Sequence, residues 1–315
     1  MKILITGVHG FVGSNLVKYL APANEIYGLD IVAPEKEGVV KTYSWDDLDA
    51  GRVPEVDAIV HLAGKAHDTK NQAAAEVYFK VNTGLTQKIF DYFLAHSDIR
   101  KFVFFSTAKA AADKVDGVLT EEVVPAPVGP YGESKIAAER YILDVLKEKA
   151  NQMKNRGVYI FRPCMIHGPG NKGNLNLLYN VVRKGIPWPL GAFENRRTFT
   201  SVENICFAVN GVLAKDVPSG IYNMGDDEAL STNELIEEIC KSLGKKAHIW
   251  RLPKGLMNGV AKVGGWLHLP LNPERLRKLT ENYISSNAKI KKALGVERMP
   301  VDAREGLKRT LESFR

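Results

Sequence analysis

Short apolar runs alternate with longer stretches of helical periodicity through the first half of the chain. Residues 2–6 read as a strand, residues 11–20 as an amphipathic helix and residues 25–30 as a second strand. After a short, irregular stretch come a third strand at 57–62, a helix over 76–96 and a fourth strand at 101–106. A long helix over 131–155 follows, then a strand at 158–162 that ends at Pro163. Strands spaced by helices in this way predict a parallel sheet with crossover helices, an α/β doubly wound (Rossmann) fold.

The pattern changes after Pro163. Residues 168–173 (four of them Gly or Pro within the first three and last positions) form a loop, residues 174–183 a helix, and 186–191 a proline-rich connection. Residues 220–224 read as one more strand returning to the sheet. Residues 232–243 read as a helix, capped by Ser231 or Thr232 with Glu234 nearby. With no internal repeat and no low-complexity linker, the boundary near 163–173 is a change of role within one body. The expected division is residues 1–165 as the sheet domain, with return segments near 198–225, and residues 166–315 as a smaller C-terminal α/β lobe.

At 315 residues the chain has ample core, and its 45% hydrophobic and 25% charged residues exclude disordered and fibrous classes. Cys164, Cys206 and Cys240 show no paired or metal-ligand spacing, which predicts a reducing, cytoplasmic setting without disulfides or structural metal. The apolar run at the N-terminus is too short for a secretory signal. The longest apolar stretch, 255–271, carries Lys262, His268 and several glycines, so it reads as a core helix and not as a membrane span. The net charge of +7 is uneven: about 17 Lys/Arg face about 6 Asp/Glu in the last 75 or so residues. A solvated basic surface accounts for most of this, with an anionic ligand or an acidic membrane surface as the other readings. No motif for nucleic acid accompanies the charge.

Gly7-Val8-His9-Gly10-Phe11-Val12-Gly13 lies between the first strand and the first helix. A glycine-rich turn in that context holds a dinucleotide pyrophosphate at a helix N-terminus. Asp30, at the end of the second strand, is placed to accept the adenosine ribose hydroxyls and to repel a 2′-phosphate, favouring NAD over NADP. Strand three ends in His61-Leu62-Ala63-Gly64, where small residues allow close backbone approach; His61, among apolar neighbours, reads as a packed histidine. Asn82 falls on the helix before strand four, which ends in Ser106-Thr107 at the carboxyl edge of the sheet.

Tyr131 and Lys135 stand one helical turn apart on one face. An ammonium beside a phenol favours the phenolate, which predicts a Tyr131 pKa drawn down from about 10 toward working pH. Coming after a glycine fingerprint and a hydroxyl pair, these residues describe a site that removes a hydroxyl proton while a nicotinamide takes the hydride.

In these residues the chain resembles the extended short-chain dehydrogenase/reductases, specifically the NAD-dependent sugar-nucleotide epimerase/dehydratase family. The resemblance implies a catalytic triad of Thr107, Tyr131 and Lys135. It implies an NAD site of Gly7, Gly10, Phe11, Val12, Gly13, Asp30, Leu62, Ala63, Gly64, Asn82 and Ser106, with Tyr131, Lys135 and Pro163 against the nicotinamide side. The order Arg162-Pro163, His167–Asn174, Pro189-Leu190-Gly191 and Asn195-Arg196-Arg197 resembles the UDP-glucose 4-epimerase-like subgroup and its UDP-N-acetylquinovosamine 4-keto reductase neighbours. That implies a UDP-sugar held by Asn174, Trp188, Leu190 and Arg197 as well as by Thr107 and Tyr131. Arginine suits the diphosphate because its fork binds phosphate in two places. The sequence departs from this pattern where Ala108-Lys109-Ala110-Ala111-Ala112 replaces a Val-Tyr-Gly, and where Met165 replaces an asparagine.

The resulting expectation is an NAD-dependent epimerase acting at C4 of a UDP-sugar, with a UDP-4-keto-6-deoxy-sugar reductase as the alternative and a non-catalytic NAD-binding protein as a remote one. A dehydratase is disfavoured, because Ala108-Lys109 stands where an Asp-Glu acid/base pair belongs. The family resemblance also implies a homodimer built on the helices around 76–96 and 131–155.

Overall fold

The computed structural model describes residues 1–66, 74–171, 173–267 and 271–315; Lys172 of the glycine-rich loop and His268 of the apolar stretch lie outside the described residues. Twelve strands occur among them. They are β1 (Lys2–Thr6), β2 (Glu25–Leu29), β3 (Lys41–Tyr43), β4 (Ala58–His61), β5 (Lys101–Phe105), β6 (Val118–Leu119), β7 (Gly157–Pro163), β8 (Met165–His167), β9 (Arg197–Ser201), β10 (Gly220–Met224), β11 (Ala229–Leu230) and β12 (Ile284–Ser285).

Seven of these form one parallel sheet in the order β10-β7-β5-β4-β1-β2-β3. The chain winds outward from β1 through β2 to β3, then restarts at β4 on the other side of β1. That reversal leaves a crevice at the carboxyl ends of β1 and β4, where ligands of doubly wound sheets bind. Both faces of the sheet are covered, so its strands are apolar on both sides. Ile3, Ile5, Val60, Val103 and Phe161 pack on one face with Leu16, Val209 and Met224. Leu4, Ile59, Phe102, Phe104 and Ile160 pack on the other with Phe90, Phe93 and Ile142. Adjacent residues of a strand thus enter opposite cores, as the period of two requires.

The helix Phe11–Leu20 and strands β1 and β10 have the bounds read from the sequence. The other first-half strands shift by one residue at one or both ends, and three regions differ by more. The irregular stretch before β4 holds β3 and a short helix, Trp45–Asp49, closed by a capping box between Ser44 and Asp47. The helix expected over 76–96 is interrupted: Ala75–Tyr78 leads into a π-helical turn, Phe79–Gly84, before Leu85–Ala95 continues. The long helix runs Pro130–Glu148, with proline in its first turn, and gives way to a 3₁₀ turn, Ala150–Met153, before Asn155 at φ 64°.

In the second half, β11, β9 and β8 form a three-stranded sheet. Helices Asn174–Arg183, Thr232–Ser242 and Ala303–Glu312 pack on it through Leu175, Tyr179, Phe199, Ile239 and Leu307. Ser231 is the cap of the middle one, with Glu234 completing a capping box. The helix Lys254–Trp266 corrects one expectation. It buries only Met257, Ala261 and Gly264, against Leu190 and Leu276, and so is a surface helix and not a core one.

Candidate active site

Gly7, Gly10 and Gly13 build a turn with no room for side chains. A Cβ on Gly13 would lie 2.4 Å from the Gly7 carbonyl oxygen, and one on Gly7 would lie 2.9 Å from the Ala63 nitrogen. Gly7 also sits at φ 68°, a conformation glycine adopts without strain. Gly10 caps the helix Phe11–Leu20 without a side-chain bond, which leaves that N-terminus to an anionic ligand. The backbone N–H of His9 donates to Asp30 Oδ2 at 3.0 Å and that of Ile31 to Oδ1 at 2.8 Å. The carboxylate is therefore held beside the glycine turn. Such a cradle fits NAD, with the turn on the pyrophosphate and Asp30 on the adenosine ribose. Phe11 packs beside the loop at Gly168, and Asn15 Nδ2 donates to the Pro169 carbonyl at 3.0 Å, so the second half of the chain touches the rim of this cradle.

The loop after β4 is fixed by a chain of buried hydrogen bonds. Leu62 and Ala63 N–H both donate to Thr6 Oγ1, which lies 2.7 Å from His61 Nδ1. Thr86 Oγ1 donates to the Asn82 carbonyl and lies 3.0 Å from His61 Nε2. These partners assign the proton to Nε2, and Thr6 donates to Nδ1. His61 is fully buried, and burial together with the nearby Lys135 charge holds its pKa well below the ordinary value. It is a neutral packed histidine. Asn82, within the π-helical turn, accepts from Lys65 N–H at 2.7 Å and donates to Ser134 Oγ at 2.9 Å. It thereby ties the β4 loop to the helix that carries Tyr131 and Lys135.

Thr107 follows β5 and caps the short helix Ala108–Ala111. Its hydroxyl is hydrogen-bonded to the Tyr131 phenol, and the Tyr78 ring meets Tyr131 edge-on at 6.5 Å. Lys135, one turn on, donates to the Phe105 carbonyl at 2.8 Å. Gly64 is in close contact with this group, since a Cβ there would lie 3.0 Å from Lys135 Nζ and 2.9 Å from Asn82 Oδ1. The expected depression of the Tyr131 pKa is not what this structure has. Burial pushes the phenol above its ordinary value, and the opposing effect comes from the bond to Thr107. Lys135 feels the same burial in the other direction, and its pKa falls to about 8, with Glu139 opposing.

Glu139 and Arg162 are residues the sequence reading missed in this role. They form a buried pair beneath the site, with Arg162 Nη2 2.6 Å from Glu139 Oε2 and Nε 3.0 Å from Oε1. Ser106 donates its hydroxyl to the same carboxylate. Glu139 is four residues past Lys135, a helical spacing visible in the sequence; its partner on β7 was not visible there. Pro163 is buried at the carboxyl end of β7, paired with Met224 of β10.

Of the residues assigned to the sugar nucleotide, Arg197 lies at the start of β9 and donates Nη1 to the Lys278 carbonyl at 2.5 Å. Burial lowers its pKa, and Glu281 opposes. Around it stand charges not anticipated from sequence. Lys109 pairs with Asp113 at 3.0 Å and lies over the Tyr283 ring, and Arg277 reaches Asp113 and Glu281. Lys109 is two residues from Thr107, so this cluster borders the hydroxyl pair. Asn174 is exposed at the first turn of its helix, and Trp188 is half-buried. The Leu190 side chain is buried with Met257, Ala261 and Leu276, and its carbonyl accepts from Phe193 N–H at 3.0 Å.

The model of the NAD dependent epimerase/dehydratase family matches residues 3–225. The UDP-glucose 4-epimerase of Vibrio cholerae is 30% identical over 268 residues, covering 80% of this chain and 78% of that protein. The N-acetyl-alpha-D-glucosaminyl-diphospho-ditrans,octacis-undecaprenol 4-epimerase of Escherichia coli O157:H7 is 28% identical over 300 residues, covering 92% and 85%. The solved structure of UDP-glucuronic acid 4-epimerase from Bacillus cereus in complex with NAD shares the fold, with a TM-score of 0.75 at 20% identity over 100% of this chain and 98% of that one. The glycine cradle thus lies inside a family match that spans most of the chain, and the protein belongs to the NAD dependent epimerase/dehydratase family.

Proposed function

We propose that the protein is an NAD-dependent epimerase acting at C4 of a UDP-sugar, either a UDP-hexose or a UDP-N-acetylhexosamine, through a 4-keto intermediate. The observation that carries this reading is the Thr107–Tyr131 hydroxyl pair, with Lys135 one turn away, beside the glycine turn that fits NAD. Related proteins named for 4-epimerisation of UDP-glucose and of a diphospho-linked N-acetylglucosamine support the choice of C4.

When bound, NAD supplies the acceptor and donor of hydride at C4. Tyr131, as the phenolate, takes the C4 hydroxyl proton and, as the phenol so formed, later returns it, and Thr107 orients that hydroxyl. Lys135 supplies a positive charge that stabilises the phenolate as the proton moves. Its depressed pKa leaves it partly able to exchange protons near neutrality. Arg197 gives the cleft a guanidinium for a diphosphate, beside Lys109 and Arg277, whose charges are shared with Asp113 and Glu281. Holding the diphosphate tightly retains the flat 4-keto sugar while it turns over between faces, using binding energy remote from the chemistry.

The test incubates the protein with UDP-glucose, UDP-N-acetylglucosamine and their galacto epimers with trace NAD+, following C4 configuration by proton NMR. Interconversion without net NADH establishes the epimerase and names its sugar. An inert panel, combined with NADH-dependent reduction of a UDP-4-keto-6-deoxy-sugar, replaces this reading with the reductase.

A further inference from the structure

The helix Lys254–Trp266 carries two apolar stripes, and the protein uses only one. Met257, Ala261 and Gly264 face inward. Leu256, Val260, Val263 and Leu267, spaced i, i+4, i+7 and i+11, form a second stripe that faces outward; their exposures run from 46% to 55%. Trp266 stands beside it at 81% exposure, and Trp250, just before the helix, at 54%. A contiguous exposed patch of large apolar side chains marks an interaction site.

The charge around the patch decides its partner. Residues 239–273 contain no Asp or Glu, while Lys245, Lys246, Arg251, Lys254 and Lys262 are all exposed there. A second copy of the chain seated on this face would set one all-positive segment against another. An acidic lipid surface offers the opposite charge, and aromatic and aliphatic side chains with lysines on the remaining faces are what a helix lying in a membrane interface needs. The helix of 13 residues is about 20 Å long, short of a hydrocarbon core of about 30 Å, and no helix among the described residues is long and apolar enough to cross a membrane. Its geometry suits lying flat.

We propose that the outward face of Lys254–Trp266 docks the protein on an anionic phospholipid surface. The helix packs on Pro273–Thr280, whose Arg277 side chain reaches Asp113 and whose Lys278 carbonyl accepts from Arg197. Docking therefore sets the cleft one helix away from the lipid headgroups.

The experiment is flotation of the full chain with vesicles of phosphatidylcholine mixed with phosphatidylglycerol, and with vesicles of phosphatidylcholine alone. Flotation is expected only with the anionic vesicles, falling as salt is raised. Trp266 fluorescence is expected to shift to shorter wavelength on binding, with Trp266→Phe as the control. Val260→Glu/Val263→Glu and, separately, Lys254→Glu/Lys262→Glu are expected to abolish flotation while leaving thermal unfolding and NAD affinity unchanged. Absence of flotation, or flotation that both variants retain, overturns the proposal. So does a lipid-free dimer that Val260→Glu/Val263→Glu dissociates, because the face is then covered by a second copy.

Discussion

Glu139 lies one helical turn beyond Lys135 on the same buried face, yet its carboxylate closes onto Arg162 and not onto the lysine. Lys135 instead spends its ammonium on the Phe105 carbonyl. The lysine is thus left buried, at 5% exposure, with only a distant counter-charge, and desolvation draws its pKa from 10.5 to about 8. A full ion pair at that spacing would have raised the lysine pKa; with Glu139 held by Arg162, desolvation prevails.

This arrangement has a signature in stability. The folded-state pKa of about 8 lies below the unfolded value, so between about pH 8 and 10.5 the unfolded chain binds the extra proton. Wild-type stability gains from this group as pH rises through that window, on the order of 3 kcal/mol at most. Below pH 8 the cost of the buried charge is full and constant. Guanidinium unfolding of wild type and Lys135→Met at pH 7 and pH 10 is expected to show the balance moving toward wild type at the higher pH. A pH-independent difference would contradict it.

The phenolate of Tyr131 is the proton acceptor in the proposed reaction, so Tyr131→Phe is expected to lower kcat by about 10²-fold or more. Thr107→Ala tests the finer point. The Thr107 hydrogen bond is the influence that lowers the Tyr131 pKa against burial. Removing it is expected to displace the rise of kcat/KM to higher pH as well as to slow turnover. A slower variant with an unmoved pH profile would assign Thr107 to orientation alone.

Gly64 and Gly13 separate function from folding. A Cβ on Gly64 meets the far end of the flexible Lys135 side chain at 3.0 Å and the hydrogen-bonded Asn82 Oδ1 at 2.9 Å, whereas one on Gly13 meets the Gly7 carbonyl oxygen in the backbone at 2.4 Å. Gly64→Ala is expected to lose less thermal stability than Gly13→Ala but about 10²-fold in kcat, because the lysine is displaced. Gly13→Ala is expected to lose stability and NAD affinity together, measured by calorimetry and cofactor titration. Normal turnover in Gly64→Ala would show that the lysine position is not critical.

The Glu139–Arg162 pair is expected to be costly to break and cheap to replace. Glu139→Ala leaves a buried guanidinium without its counter-charge and is expected to destabilise by about 3–5 kcal/mol. Glu139→Leu/Arg162→Met, which removes both charges, is expected to recover much of that loss in denaturant melts. Equal losses in the two variants would mean that shape, and not charge, is what the pair supplies.

Local signals written into consecutive residues were enough for several elements. Strand β1, the glycine turn and the helices Phe11–Leu20 and Asn174–Arg183 were legible because an apolar period, a glycine and a helix start follow one another directly. The placing of Tyr131 and Lys135 one turn apart needed nothing beyond the turn of a helix. The sequence by itself therefore determined the doubly wound sheet and placed at its cofactor edge the side chains proposed to react. Tertiary structure decided what depends on burial and on partners far along the chain. Arg162 turns Glu139 away from Lys135, desolvation outweighs the Thr107 hydrogen bond in setting the Tyr131 pKa, and β8, β9 and β11 assemble a small sheet from separate segments. The stretch read as a core helix became a surface one for the same reason. Periodicity counts apolar positions, but only packing decides which of two stripes finds a neighbour and which is left facing outward.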